Sequence, residues 1–133
     1  MDLIVSPDIE AWAVDYIRGG LAGLSDPVTD NVLVATRVPT ERAPKMVVVR
    51  RDGGPKLDVV REIARLGVRV WGTSDEEVTD LTNIVRALLQ ASPGNGPVRR
   101  FVEIAGPSYL LEDSGQPMRF FTVELTVKGA ARS

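Results

Sequence analysis

Neither cysteine nor histidine occurs among the 133 residues. Without cysteine there are no disulfides, no thiol nucleophile and no cysteine-rich zinc site, and a reducing compartment suits the chain. Without histidine the usual general base near neutral pH and the commonest transition-metal ligand are missing. Carboxylates, Lys, Ser/Thr and Tyr are the groups left for chemistry. Aromatic residues make up 5% and include two tryptophans, so few base-stacking platforms exist. A formal net charge of −2 supplies no global attraction to nucleic acid or to an anionic membrane. No apolar run approaches the roughly 20 residues of a spanning helix. The opening MDLIVSPDIE has neither the basic segment nor the apolar stretch of a secretory signal. A soluble protein, used where it folds, is expected.

The 44% apolar fraction is that of a globular chain, and the length fits one domain. Ser6, Pro7 and Asp8 predict a helix start, with Ser6 as cap and Pro7 in the first turn. Ile9, Trp12, Ala13, Tyr16, Ile17 and Leu21 follow on one face, and Gly19-Gly20 marks the end near Gly20. Val32 to Val38 and Lys45 to Arg51 alternate or run apolar, predicting two strands joined as an antiparallel hairpin across Pro39 to Pro44.

From Leu57 to Glu62 two patterns compete. Leu57, Val60, Ala64 and Ile63 fit an inward helical face, while Leu66, Val68 and Val70 belong to an alternating strand. The preferred reading is an irregular or short helical start and a strand from about Ile63 to Gly72, with Trp71 on the face opposite Val68 and Val70. Ser74 and Glu77 form a capping box ahead of a stripe of Val78, Leu81, Val85 and Leu88, flanked by Ile84 and Leu89. Val98 to Ala105 and Met118 to Lys128 close the domain. Together these predict an α+β fold: a mixed, mostly antiparallel sheet of about five strands with two main helices on one face. The domain spans residues 1–129, and residues 130–133 read as a flexible tail. The second sheet face would lack a cover within the monomer.

Chemical motifs are scarce. Gly53-Gly54-Pro55-Lys56 lacks the spacing of a phosphate-binding loop and reads as a turn, as does Gly94-Asn95-Gly96. Asp75, Glu76, Glu77 and Asp80 oppose the positive end of a helix dipole rather than hold a metal. Glu112 and Asp113 read as solvated, and Trp12 and Trp71 as core or interface packing. Arg42, Lys45, Arg50, Arg51 and Lys56 surround one hairpin, and Arg99 and Arg100 begin another strand. Edge protection explains such charges. The alternative is a contact surface, with the basic group meeting acidic loops around Asp26, Asp30 and Asp113 of a neighbouring subunit. No catalytic, cofactor-binding or metal-ligating residue is nominated.

The Arg50-Arg51-Asp52-Gly53-Gly54-Pro55 turn, Val70-Trp71-Gly72, the Ser74-led acidic helix and the closing strand from Phe121 to Gly129 occur in an order that resembles small tail terminator proteins of long-tailed bacteriophages, particularly those of actinobacterial hosts. The likeness covers roughly residues 1–129. It implies an α+β subunit of a hexameric ring at the tail–neck junction of a virion, assembled in the host cytoplasm. Such a ring stops tail-tube polymerisation and joins the tail to the head. The implied partners are further copies of the chain, the major tail tube protein and the neck connector proteins, with no membrane and no nucleic acid beyond DNA passing through the lumen. The family has no fixed site signature to carry over. Other readings are a head-closure or neck protein, a small carboxylate-dependent hydrolase or transferase, and a toxin-like or regulatory binding module.

Overall fold

The computed structural model describes residues 2–133. Strand β1 (Leu3–Val5) leads into helix α1 (Ile9–Ala22), and a short 3-10 turn (Pro27–Thr29) precedes β2 (Leu33–Ala35). Strands β3 (Met46–Arg51) and β4 (Arg61–Trp71) follow, then helix α2 (Asp75–Gln90), β5 (Val98–Tyr109), β6 (Met118–Lys128) and β7 (Ala130–Arg132). The main sheet has the order β2-β3-β4-β6-β5 and is antiparallel except at β2–β3, so the expected α+β class and sheet size hold.

Alternation decides the faces. Ala64, Leu66, Val68 and Val70 of β4 point the same way as Phe121, Val123, Leu125 and Val127 of β6. On that side they meet Ile9, Ala13, Ile17 and Leu21 of α1 and Val78, Leu81, Val85 and Leu89 of α2, all essentially solvent-free. Both helices therefore lie on one face. They are tied together where Tyr16 Oη donates to the Leu88 carbonyl at 2.6 Å. A Cβ on Gly20 would sit 2.6 Å from Leu88 Cδ2, which explains a glycine inside α1. The helix consequently runs through Gly19-Gly20 to Ala22 instead of stopping there.

Several local expectations change. Asp8, not Ser6, caps α1, accepting from the Ala11 amide at 3.1 Å; the Ser6 hydroxyl instead helps to stabilise the Glu62 carboxylate. The predicted hairpin is a parallel pair, with Leu33 opposite Met46 and Ala35 opposite Val48. Residues 36–45 cross over the sheet before β3 begins, because Val38 and Ala43 are drawn onto the second core. Residues 57–60 form no helix. Asp58 Oδ1 accepts from the amides of Val60 and Arg61 at 2.9 and 2.7 Å, which makes a turn and starts β4 at Arg61. Leu57 and Val60 stay exposed, so only Ala64 of the proposed inward face is buried.

The capping box is displaced by one residue: Ser74 Oγ accepts from the Glu77 amide, but Glu77 returns its bonds to Thr73. Strand β5 continues past Gly106-Pro107, with register shifts that an edge strand tolerates. The expected tail forms β7, antiparallel to β1, from Leu3 opposite Arg132 to Val5 opposite Ala130.

Gly53 and Gly54 both have positive φ, 88° and 114°, so glycine eases the turn at each. They differ in space. A Cβ on Gly54 would lie 2.0 Å from the Ile63 carbonyl oxygen, whereas Gly53 has nothing within 4 Å. Gly54→Ala should therefore destabilise the protein by more than about 1 kcal/mol, and clearly more than Gly53→Ala, in urea unfolding midpoints. Equal losses would mean that only the dihedral angle matters.

Candidate interaction surfaces

The sheet face away from the helices is covered at one end. There Met46, Val48, Trp71 and Met118 form a second buried cluster, packed by Leu33, Val38, Ala43 and Phe120. Trp71 is fully buried, and its indole N–H donates to Glu112 Oε2 at 2.9 Å. Glu112 also receives Arg42, whose guanidinium stands 5.7 Å from the Trp71 ring centre. Gln116 Nε2 donates to the Ala43 and Pro44 carbonyls at 3.3 and 3.1 Å, fastening the loop 112–117 to the crossover segment. Glu112 is thus a structural acceptor and not a solvated loop acid. Burial alone would raise its pKa, but hydrogen bonds from Ser114 and Trp71 and the charge of Arg42 hold it below the ordinary glutamate value.

The remainder of this face is open and polar. Arg65 and Glu124 pair across β4 and β6 at 2.8 Å. Beside them lies a groove of about 300 Å³ lined by Arg50, Arg51, Asp52, Gly67, Arg69 and Phe120. Gly67 is its floor: a Cβ there would stand 2.7 Å from Asp52 Oδ2 and 3.2 Å from Phe120 Cε2. Arg50 is 59% exposed with Glu10 no nearer than 3.8 Å, and Arg69 is exposed with no salt bridge among the described residues.

The nominated basic residues do not form one patch. Arg42 and Lys45 lie before β3, Arg50 and Arg51 at its far end, with Lys56 in the turn beyond. Lys45 Nζ donates to the Pro27 and Val28 carbonyls at 3.1 and 3.2 Å, beside the loop that carries Asp26 and Asp30. Arg51 forks onto Glu62 at 3.2 and 3.4 Å. Burial acts to raise the Glu62 pKa, but Arg51 and Ser6 bring it below its ordinary value. Asp26 caps the 3-10 turn through the Val28 amide at 3.0 Å. Asp30, Lys56 and Asp113 are exposed. Arg42, Lys45 and Arg51 are therefore committed within the chain, while Arg50, Lys56, Asp30 and Asp113 face solvent.

Sequence reading missed Arg69, because only the strand register sets it beside Arg50. It also missed the apolar end of β5, where Tyr109, Leu110 and Leu111 are 62, 42 and 85% exposed. Two adjacent leucines before a polar loop were the available signal. The outer edge of β5 is unpaired in the sheet order. The opposite edge strand, β2, has its Val34 carbonyl occupied by Arg18 Nη2 at 2.9 Å.

The four carboxylates with resolved shifts, Asp58, Glu62, Glu77 and Glu112, are all lowered, so each is a stable anion and none a proton donor near neutral pH. Among the described residues no group of three or more acids could hold a metal ion. No family model matches the sequence, and no curated protein does. The fold is similar to a chain in the virion of a native gene transfer agent particle. That similarity has a TM-score of 0.67 and 12% identity, and covers 92% of this chain and all of the other.

Glu112 supplies an acid-sensitive contact. Its folded pKa lies below the unfolded value, so its contribution is complete above about pH 4.5 and is lost as pH falls through the folded value. Glu112→Gln keeps an acceptor for Trp71 but removes the charge. The variant should be about 1 kcal/mol less stable than the parent at pH 7, with the gap closing towards pH 3 in urea titrations. A gap that stays constant with pH would show that charge contributes nothing there.

Proposed function

We propose that this chain is a structural subunit of a bacteriophage-type virion, a tail terminator that forms a ring on the end of the tail tube, ends polymerisation and joins the tail to the neck. The observation that carries this is the whole-length fold likeness to a chain of a gene transfer agent virion. The motif order described above points to the same class of protein. The chemistry is compatible with this: Asp58, Glu62, Glu77 and Glu112, the acids held below their ordinary pKa, stabilise a turn, a cap or ion pairs.

A terminator must hold its neighbours and its tube through surfaces, and the open sheet face provides one. Arg50 and Arg69 flank a groove that Asp52 also lines; Arg50 has only the long 3.8 Å contact with Glu10, and Arg69 is in no salt bridge among the described residues. Charge-assisted contacts from such arginines recognise carboxylates with defined geometry. We assign this groove, rather than Arg42, Lys45 or Arg51, to the tube or to the neck. Lys56, Asp26, Asp30 and Asp113 lie at other parts of the surface and serve as rim charges.

Purified protein mixed with tail tubes, viewed by negative stain, should decorate one tube end only. Reversing both free charges, Arg50→Glu with Arg69→Glu, should reduce end occupancy at least about tenfold, equivalent to the loss of about 1.4 kcal/mol, with folding unchanged. Decoration along the tube wall, or unaffected binding by the double variant, would count against the assignment.

A further inference from the structure

The hairpin of β5 and β6 carries an apolar peg at one end and an apolar cleft at the other. At the turn end, Leu110 and Leu111 project beside Tyr109, and Asp113 follows them on an exposed loop. At the opposite end lies a cleft of about 440 Å³, lined by Val5, Pro7, Trp12, Pro97, Ala130 and Ala131 and bordered by Lys128 and Arg132. This volume is within the range of pockets that enclose a ligand. The pairing of Val98 with Val127 at one end and Tyr109 with Arg119 at the other fixes their separation. At about 3.3 Å per residue over the eleven residues of β6, that separation is roughly 35 Å. A peg so placed cannot fold back into its own cleft.

We infer that Leu110 and Leu111 of one copy seat in the Trp12–Pro97–Ala131 cleft of the next copy, with Asp113 meeting Lys128 and Arg132. Three features favour a second copy over another protein. Both halves of the contact are present on the same chain and match in apolar character. Their rims differ in charge: Asp113 is exposed beside the peg, where Arg119 lies over Tyr109 and is paired with Asp75, while Lys128 and Arg132 at the cleft are in no salt bridge among the described residues. Asp8, the acid within the cleft, already caps α1 and offers little competing repulsion. A contact between two different patches at distant points of one subunit is heterologous, the type that builds rings or filaments instead of two-fold dimers.

The β7 segment acquires a role here. By pairing with β1 it brings Ala130 and Ala131 opposite Val5 and Ile4, and so forms one wall of the cleft. The contact explains how a ring would be held and so rests on the ring reading, but it can be tested apart from tube capping.

The chain has no cysteine, so an introduced pair reports without background. In the full-length protein, assembled alone or on tubes, Leu111→Cys with Ala131→Cys should yield a ladder of covalent oligomers on oxidation, ending at the ring number. Either substitution alone can give at most a disulfide-linked dimer and no ladder. Leu110→Ser with Leu111→Ser, at exposed positions, should leave the circular dichroism spectrum intact and weaken self-association at least about tenfold. Asp113→Lys should weaken it too, and Lys128→Glu with Arg132→Glu added to the same chain should restore it.

Rings by native mass spectrometry that fail to cross-link in the Leu111→Cys, Ala131→Cys double variant would overturn the contact. So would a protein that stays monomeric both alone and on tubes, or a Leu111→Cys variant carrying a thiol-attached photocross-linker that links to the tube protein instead. Cross-linked rings that ignore tube ends would sink the terminator function while leaving this contact established.

Discussion

The pairing of β4 with β6 is the constraint on which the rest of the molecule depends. Arg61 to Trp71 lies opposite Lys128 to Met118 without a break, at the centre of the five-stranded sheet. Alternation makes the register close to all-or-none. With Ala64 opposite Leu125, Leu66 opposite Val123 and Val68 opposite Phe121, each strand puts its apolar side chains beneath the helices. A slip of one residue in β6 would turn Thr122, Glu124 and Thr126 into that core and expose Phe121 to Val127. The partners are distant in sequence, so this register is a tertiary achievement that helix α2 and strand β5 interrupt but do not disturb.

The same register produces two unlike halves on the outer face. Towards the Trp71 end the strands carry Met46, Val48, Trp71 and Met118, apolar enough to draw the crossover and the 112–117 loop over them. Burying Trp71 obliges its N–H to find an acceptor, and Glu112 fills that role with Arg42 balancing its charge. Towards the other end the outer face carries Arg50, Arg65 and Arg69, all exposed, with Gly67 buried beneath Asp52 and Phe120. A uniformly apolar outer face would have buried itself or aggregated. A uniformly polar one would offer no groove. The division leaves a solvated, basic surface on a rigid scaffold, which suits recognition by charge.

Much of this was legible in the residues. The α2 stripe, its Ser74 cap, the alternation of β6 and the turn at Gly53-Gly54 are local patterns that formed where expected, except that Leu89, expected at the edge of the stripe, is buried in the core while Leu88 is only partly buried. Trp71 was correctly set on the face opposite Val68 and Val70 for the same reason. The failures were non-local. Pro39 and Pro44 suggested a tight return, but the second core pulled residues 36–45 across the sheet and made β2 parallel to β3. Glu112 looked like a loop acid because its partners Arg42 and Trp71 are 70 and 41 residues away. The basic cluster looked continuous in sequence, yet the length of β3 divides it between two ends of the molecule.

The sequence by itself determined the class of fold, the two helices, the strand faces and the absence of thiol and imidazole chemistry. These follow from periodicity, capping and composition, which act over a few residues. Only tertiary structure decided which charges are free: Arg51 is taken by Glu62, Lys45 by backbone carbonyls and Arg42 by Glu112, while Arg50 and Arg69 meet across a glycine floor. It also decided that the last residues close a cleft at β1 and that Leu110 and Leu111 stand clear at the far end of the hairpin. Whether a side chain is committed or available depends on what the register brings within hydrogen-bonding reach, and no local pattern records that distance.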